Sequence, residues 1–354
     1  MKFFHLIITL LLICFLCSCE PMHKERQPHT IDNNSSSSES SFVNKGHLMV
    51  AFSEYYRALD YVTEDENNLY CLYNNMIVKM DKGSGLSTIL CKNANNVPIV
   101  YYDGKIFYVN MTDYCQILAV DINSCHVENV VSVEKTIYSI AIGSKYLLIN
   151  RTEFIFDLEE SCLVEMDFSD QLLCYVGEKG VVWAFDPSYS LDYDFYYYDF
   201  RKQNSAKIAD ISAYVFFDLQ DSLYYFSDGL YNYKDNKLSL VAELDDWENS
   251  QRYVVSAVSL DGYIYAATHE RVDRDTFDGP ALYIMNKNGN IKCQIELPSD
   301  NGFMKVINDK VYIEFDNPSK TYGVISYDKP CIYCIDSQAQ LLKPIETLND
   351  VQMN

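Results

Sequence analysis

Seven times along this chain a polar turn opens onto consecutive apolar and aromatic residues, followed by a second strand-like run and a further turn. The first instance reads Glu66-Asn67-Asn68, Leu69-Tyr70-Cys71-Leu72-Tyr73, then Met76-Ile77-Val78-Lys79-Met80-Asp81 before Lys82-Gly83. The others pair residues 106–109 with 117–121, 146–149 with 154–157, 181–185 with 196–199, 223–226 with 230–233, 263–267 with 282–286, and 311–315 with 332–336. Turn pairs such as Asp103-Gly104 and Asp261-Gly262 accept the positive φ of tight hairpins. The run after each turn is apolar at successive positions, which is what burial on both faces of a strand looks like. Asp or Asn closes most of the second runs (Asp81, Asp121, Asp157, Asp199, Asn286, Asp336), where its side chain can accept from amides of the next turn.

A sheet that is apolar on both faces is stable only when neighbours cover it. A repeat of about 40–45 residues per four-stranded unit is the period of a β-propeller, whose blades hide one another's faces. Further apolar stretches at 98–102, 137–142, 214–219 and 253–258 supply remaining strands. The expectation is an all-β chain with a single propeller over residues 46–350, of seven four-stranded blades. Boundaries read this way drift by several residues, so the count carries a margin of one. A β-solenoid or stacked sandwiches are the competing architectures. Residues 47–52 precede the first unit and are expected to complete the last blade's sheet, closing the ring and protecting its edges.

On these repeats, residues 46–350 are similar to the propeller domains of exported bacterial lipoproteins, including the DUF5050-type group and the PQQ-like and WD40-like propellers. The resemblance is one of repeat shape. The chain lacks the Trp-Asp dipeptides of WD40 blades and the Ala-Trp-x-x-x-Thr-Gly character of quinoprotein blades, so neither a quinone nor any other cofactor is expected.

The first residues carry a second resemblance. Lys2 precedes an apolar run over 3–16 that only His5 and Thr9 interrupt. That run is short of the roughly 20 residues a membrane helix needs, and suits the apolar core of a secretory signal peptide. Leu16-Cys17-Ser18-Cys19 then resembles a bacterial lipobox. Leu16, Ser18 and Cys19 match that pattern, and Cys17 is a less usual but small occupant of its position. The resemblance implies that residues 1–18 are a lipoprotein signal peptide, and that Cys19 is diacylglycerated and becomes the first residue. An ordinary cleaved signal and an uncleaved anchor are the alternatives. Two or three acyl chains, at about 0.8 kcal/mol per buried methylene, suffice for attachment. The implied location is extracytoplasmic, lipid-anchored at the cell membrane or outer membrane. Glu20 stands where an Asp often retains such proteins at the inner membrane.

Residues 19–45 change character, with Pro21, Pro28 and the run Asn33-Asn34-Ser35-Ser36-Ser37-Ser38-Glu39-Ser40-Ser41. Such a stretch buries too little to offset its ordering entropy. It is expected to be a disordered tether with an r.m.s. reach of about 25–30 Å.

The formal net charge is −22, and removing residues 1–18 takes away only Lys2. Nucleic acid needs a basic footprint and is excluded as a partner; a polybasic attraction to anionic lipid is excluded likewise. Acidic charge suits solubility, divalent cations or basic partners. Thirty Tyr and eighteen Phe against thirteen Gly describe β-prone material for a large core. Beyond Cys17, Cys19 and the signal, nine cysteines remain: Cys71, Cys91, Cys115, Cys125, Cys162, Cys174, Cys293, Cys331 and Cys334. Their scatter does not resemble a disulfide scaffold, and they are expected to be mostly buried and unpaired.

Catalytic patterns are sparse. His47, His126 and His269 lie far apart with no metal-ligand spacing, and no nucleophile elbow, phosphate loop or dinucleotide fingerprint is present. Gly83-Ser84-Gly85 falls in a strand-to-strand turn. Cys331-Ile332-Tyr333-Cys334 has redox-motif spacing, but residues three apart on a strand face opposite sides, and no helix N-terminus lowers a thiol pKa there. No metal site is expected: Asp273, Asp275 and Asp278-Gly279 offer close oxygens, yet their spacing is not that of a calcium loop.

Long insertions carry the functional expectation. Segments 186–194, 269–280 and 316–330 separate the two runs of the fourth, sixth and seventh units, and 243–252 leads into the sixth. If the strand assignment holds, all four emerge on one face of the ring, and loops are where function concentrates. Tyr189, Tyr193, Trp247, Tyr322 and Tyr327 would supply stacking surface there, with Asp273, Asp275 and Asp278 giving hydrogen bonds. The leading reading is a membrane-anchored, non-enzymatic binding or scaffolding module for a protein, peptide or glycan. The alternative is an extracytoplasmic glycan lyase or hydrolase, which needs convergent acids about 5–10 Å apart in a cleft. A third reading, a sensor or assembly partner of envelope machinery, follows only from resemblance to scaffold propellers that help insert outer-membrane proteins.

Overall fold

In a computed structural model, the chain is described at residues 58–169, 171–185, 194–210, 215–243, 252–271, 277–298, 302–315, 332–338 and 340–344. All of these belong to the unit Ser40–Asn354. Among the described residues no helix is long and apolar enough to cross a membrane.

A 3-10 turn at Ala58–Tyr61 leads into blade 1, made of β1 (Val62–Glu64), β2 (Asn68–Tyr73), β3 (Met76–Asp81) and β4 (Ser87–Lys92). Blade 2 holds β5 (Val100–Tyr102), β6 (Lys105–Val109), β7 (Gln116–Asp121) and β8 (Val127–Ser132). Blade 3 holds β9 (Ile140–Gly143), β10 (Tyr146–Ile149), β11 (Phe154–Asp157) and β12 (Cys162–Val164). Blade 4 holds β13 (Leu172–Val176), β14 (Gly180–Phe185), β15 (Asp194–Asp199) and β16 (Asn204–Asp210). Blade 5 holds β17 (Val215–Leu219), β18 (Ser222–Phe226), β19 (Gly229–Lys234) and β20 (Lys237–Glu243). Blade 6 holds β21 (Arg252–Leu260), β22 (Tyr263–Arg271), β23 (Phe277–Asn286) and β24 (Ile291–Glu296). Blade 7 closes the series with β25 (Phe303–Ile307), β26 (Lys310–Glu314), β27 (Ile332–Asp336) and β28 (Leu341–Pro344).

Each blade is a four-stranded antiparallel meander, so the chain is a seven-bladed β-propeller. The repeated runs of the sequence are the second and third strands of every blade. Their two apolar faces are used separately, as the period of two requires. On β2, Leu69, Cys71 and Tyr73 pack against blade 7, while Tyr70 and Leu72 pack against blade 2. On β10, Leu147 and Ile149 face blade 2 and Tyr146 and Leu148 face blade 4. The remaining boundaries repeat this: Tyr225 meets Ala184 between blades 4 and 5, Leu230 meets Tyr283 between blades 5 and 6, and Leu282 meets Ile313 between blades 6 and 7. Seven apolar clusters among the described residues thus correspond one to one with seven blade boundaries, including the boundary of the last blade with the first.

The closing strand expected at 47–52 lies outside the described residues; among the described residues blade 7 has four strands, from residues 303–344. β28 occupies the outer position by pairing with β27, Tyr333 opposite Pro344 and Asp336 opposite Leu341. Among the described residues the ring is joined by face packing and polar contacts. Leu59 N–H donates to Glu314 Oε2 at 3.0 Å, Lys305 Nζ donates to the carbonyls of Leu59 at 3.0 Å and Val62 at 2.6 Å, and Asn308 N–H donates to the Glu64 carboxylate. One expectation needs correcting, that 269–280 is a loop. β22 runs on to Arg271 and β23 begins at Phe277, with Glu270 opposite Asp278 and Arg271 opposite Phe277. Only 272–276 separates them.

Candidate functional site

The meander puts connections on two opposite faces. First-to-second and third-to-fourth hairpins share one, the turn face; second-to-third hairpins and blade-to-blade connections share the other, the loop face.

On the turn face the acids closing the third strands are structural. Asp81 accepts from Ser84 N–H and Oγ at 2.7 Å each, Asp121 from the amides of Asn123 and Ser124, Asp157 from Glu159 and Glu160, and Asp199 from Arg201 and Lys202. Asn286 does the same for Asn288 and Asn290, and Asp336 for Gln338. Gly83-Ser84-Gly85 is therefore a capped hairpin, with Gly85 at φ 67°.

On the inner strands, Asp218 of β17 sits against the turn between β13 and β14. Its amide donates to Tyr175 Oη at 3.1 Å, and a Cβ on Gly177 would occupy the space of its carboxyl. Burial pushes this carboxyl above the usual range, opposed by the Tyr175 hydrogen bond and by Lys179. None of the eight described cysteines is in a disulfide. Cys71, Cys91, Cys293 and Cys334 are buried as expected, but Cys125, Cys162 and Cys174 are exposed. Burial raises the Cys71 thiol to about 12 and the Cys91 thiol to about 11, which leaves them protonated at neutral pH. Cys334 lies in β27 and its thiol is likewise raised by burial, whereas Cys331 lies outside the described residues. Among the described residues no three His, Cys, Asp or Glu side chains gather closely enough to hold a metal.

The loop face is where the sequence places its candidates, and strand topology agrees on the face. The strand ends flanking the connections β14–β15, β20–β21, β22–β23 and β26–β27 all open there. The residues themselves are another matter. Tyr189, Tyr193, Trp247, Asp273, Asp275, Tyr322 and Tyr327 lie outside the described residues, as do Leu16, Cys17, Ser18 and Cys19. Asp278 is placed by its backbone within β23 and not at a loop tip.

Loop length directed attention away from shorter connections of blades 2 to 4. There Met111, Tyr114, Tyr138 and Leu172 are 40%, 49%, 59% and 41% exposed. Hydrogen bonds to the backbone link the segments on which they stand. Met111 N–H donates to Asn93 O at 2.8 Å, Ile137 N–H to Tyr114 O at 2.8 Å, and Asn150 N–H to Ser139 O at 2.9 Å. Asn150, held at φ 51°, accepts from Tyr138 N–H at 2.9 Å and donates from Nδ2 to Thr136 O at 2.9 Å. Thr152 Oγ1 then donates to Gln171 O at 2.9 Å, beside Leu172. Beneath this arc Val133, Ile137, Ile140 and Phe156 are buried between blades 2 and 3. The apolar side chains are therefore displayed from braced connections. Asp113, Glu134, Glu165 and Asp167 are exposed on the same connections, along with Arg151, while Glu153 is paired with Lys135.

No family model matches the chain, and no curated protein matches it. Many solved structures do. BamB from Moraxella catarrhalis is 17% identical, with 72% of this chain and 78% of that one covered and a TM-score of 0.43. The acylaminoacyl peptidase of Pyrococcus horikoshii is 14% identical over 82% of this chain, which spans 53% of the peptidase, with a TM-score of 0.49. The β-propeller domain of the Trilobed protease from Pyrococcus furiosus is 15% identical, covering 72% and 90%, with a TM-score of 0.45. At these identities the likeness is one of fold. It also corrects the expectation that the chain is not an enzyme: propellers of this kind occur within peptidases, so the missing motifs do not decide the matter.

Proposed function

We propose that this chain is an extracytoplasmic binding or scaffolding module that engages its partner through the loop face. In this reading residues 1–18 direct export, Cys19 carries the lipid, residues 19–45 are the spacer, and the propeller begins at residue 46. The observation that supports it is the construction of the loop face in blades 2 to 4. Neighbouring connections are hydrogen-bonded to one another, yet leave Met111, Tyr114, Tyr138 and Leu172 exposed. Exposed aromatic side chains on a rigid frame lose little conformational entropy on binding.

Crosslinking in intact cells tests the face. Shortening 272–276 or substituting Tyr138 is expected to change the set of crosslinked partners, and Asn123→Lys on the turn face to leave it unaltered. The opposite pattern would refute the assignment. The anchor is tested separately: Cys19→Ala is expected to abolish palmitate incorporation and release the chain from membranes, and equal labelling of both chains would refute it.

A further inference from the structure

Resting on the loop-face reading, we propose that the arc Met111–Tyr114–Tyr138–Leu172 is a docking site for a protein segment whose Lys or Arg residues flank apolar or aromatic ones. Three observations carry this. The four side chains are exposed although Met111, Tyr114 and Tyr138 spring from connections braced by backbone hydrogen bonds over the packed boundary of blades 2 and 3, and Leu172 opens β13 next to Gln171, whose carbonyl accepts from Thr152. The backbone beneath the surface is thus set before any partner arrives, and a partner meets little cost of ordering it. Secondly, the composition is that of an interface centre: Tyr and Met are enriched at such centres, and a buried Tyr often dominates their energy.

Thirdly, the rim is acidic. Asp113 stands next to Tyr114, Glu134 lies in the connection that ends at Tyr138, and Glu165 and Asp167 precede Leu172; all four acids are exposed. Against them the described connections carry Arg151 and a Lys135 already paired with Glu153. The whole chain adds to this field with its net charge of −22. A cationic segment is attracted by both, and within the roughly 8–10 Å over which charges act at ordinary salt it meets the rim acids directly. A second copy of this chain would bring the same acids face to face and be repelled.

The test pans the purified full chain with a displayed library of random linear peptides. Enriched peptides are then measured by fluorescence anisotropy at low and high salt. They are expected to combine Lys or Arg with apolar residues. The double variants Tyr114→Ala/Tyr138→Ala and Asp113→Lys/Glu134→Lys should each weaken binding about tenfold or more, the second also removing most of the salt dependence. Asn123→Lys on the turn face should leave affinity unchanged. Since the substituted side chains are exposed, thermal melts of the variants are expected to match the parent.

Enriched peptides without basic residues, or affinities unmoved by both arc variants, would overturn the proposal. If such peptides were lost on removing 272–276, the arc would fail while the loop face survived. Enrichment of peptides lost only in Asn123→Lys would count against both. A dimer in sedimentation that Tyr138→Ala dissolves, or glycan-array binding that the tyrosine pair abolishes without any peptide enrichment, would replace the proposed partner and overturn it.

Discussion

Single acids do much of the local work in this ring, and Asp157 shows how. It closes β11, is buried, and accepts from the amides of Glu159 at 3.0 Å and Glu160 at 3.1 Å while pairing with Lys145 at 2.9 Å. Burial alone would raise its pKa; the Lys145 hydrogen bond and the two amides outweigh that and hold it below the usual carboxylate value. A carboxyl lowered in the folded state contributes stability above its unfolded pKa of about 4, and that contribution is lost as pH falls through the folded value. Asp157→Ala is therefore expected to cost about 1–3 kcal/mol at neutral pH. It should also flatten the decline in stability below about pH 4. Urea midpoints across that range check both, and an unchanged acid slope would mean the cap is dispensable. The recurrence of Asp or Asn at the end of third strands made this role legible in the residues themselves, because a turn amide needs an acceptor at that offset.

At the scale of strands, what could be read follows burial. Second and third strands lie between two neighbouring blades and need apolar residues at successive positions, so all seven pairs stand out. Fourth strands lie at the rim, where β8 is Val-Glu-Asn-Val-Val-Ser and largely exposed; solvated edges carry no comparable signal. The blade 6 extension leaves no mark in the sequence for the same reason. Glu270 and Asp278 are backbone partners within a hairpin whose sequence is polar, and a polar run carries no strand signal. The loop face follows from topology, whereas Tyr114 and Tyr138 sit in short connections that carry no length signal. Two-sided burial makes a sharp expectation for β10. Leu147 and Leu148 are adjacent, both fully buried, and belong to different blade boundaries. Leu147→Ala and Leu148→Ala should each cost about 2–5 kcal/mol, whereas Asn129→Ala on exposed β8 should stay within about 0.5 kcal/mol. In a sheet with one wet face, one of the two leucines would be tolerated; chemical denaturation of the three variants separates the cases.

For the molecule as a whole, the decisive place is where blade 7 meets blade 1. Repeats that contact only their neighbours fray from their ends, and a ring has no ends as long as that boundary holds. Here no strand is shared across it among the described residues; Lys305 reaches the Leu59 and Val62 carbonyls, Glu314 takes the Leu59 amide, and Leu69, Tyr312 and Ile332 pack alongside. Burial lowers the Lys305 pKa, with Asp60 and Glu64 acting in the opposite direction, and its two carbonyl acceptors offset part of the cost of taking it out of water. Removing Glu314 leaves the buried Leu59 N–H without that acceptor, and removing Lys305 strips two carbonyls of their donor. Each loss is worth about 1–3 kcal/mol to the boundary. Glu314→Ala/Lys305→Met should therefore turn blades 1 and 7 into terminal repeats. Hydrogen exchange is expected to quicken about ten- to a hundredfold in peptides covering 58–64 and 303–310. Peptides covering 146–149, on the far side of the ring, should remain slow until global unfolding. Uniform acceleration around the ring would show instead that the blades open only together, and no acceleration at the boundary would show that its apolar packing alone keeps the circle shut.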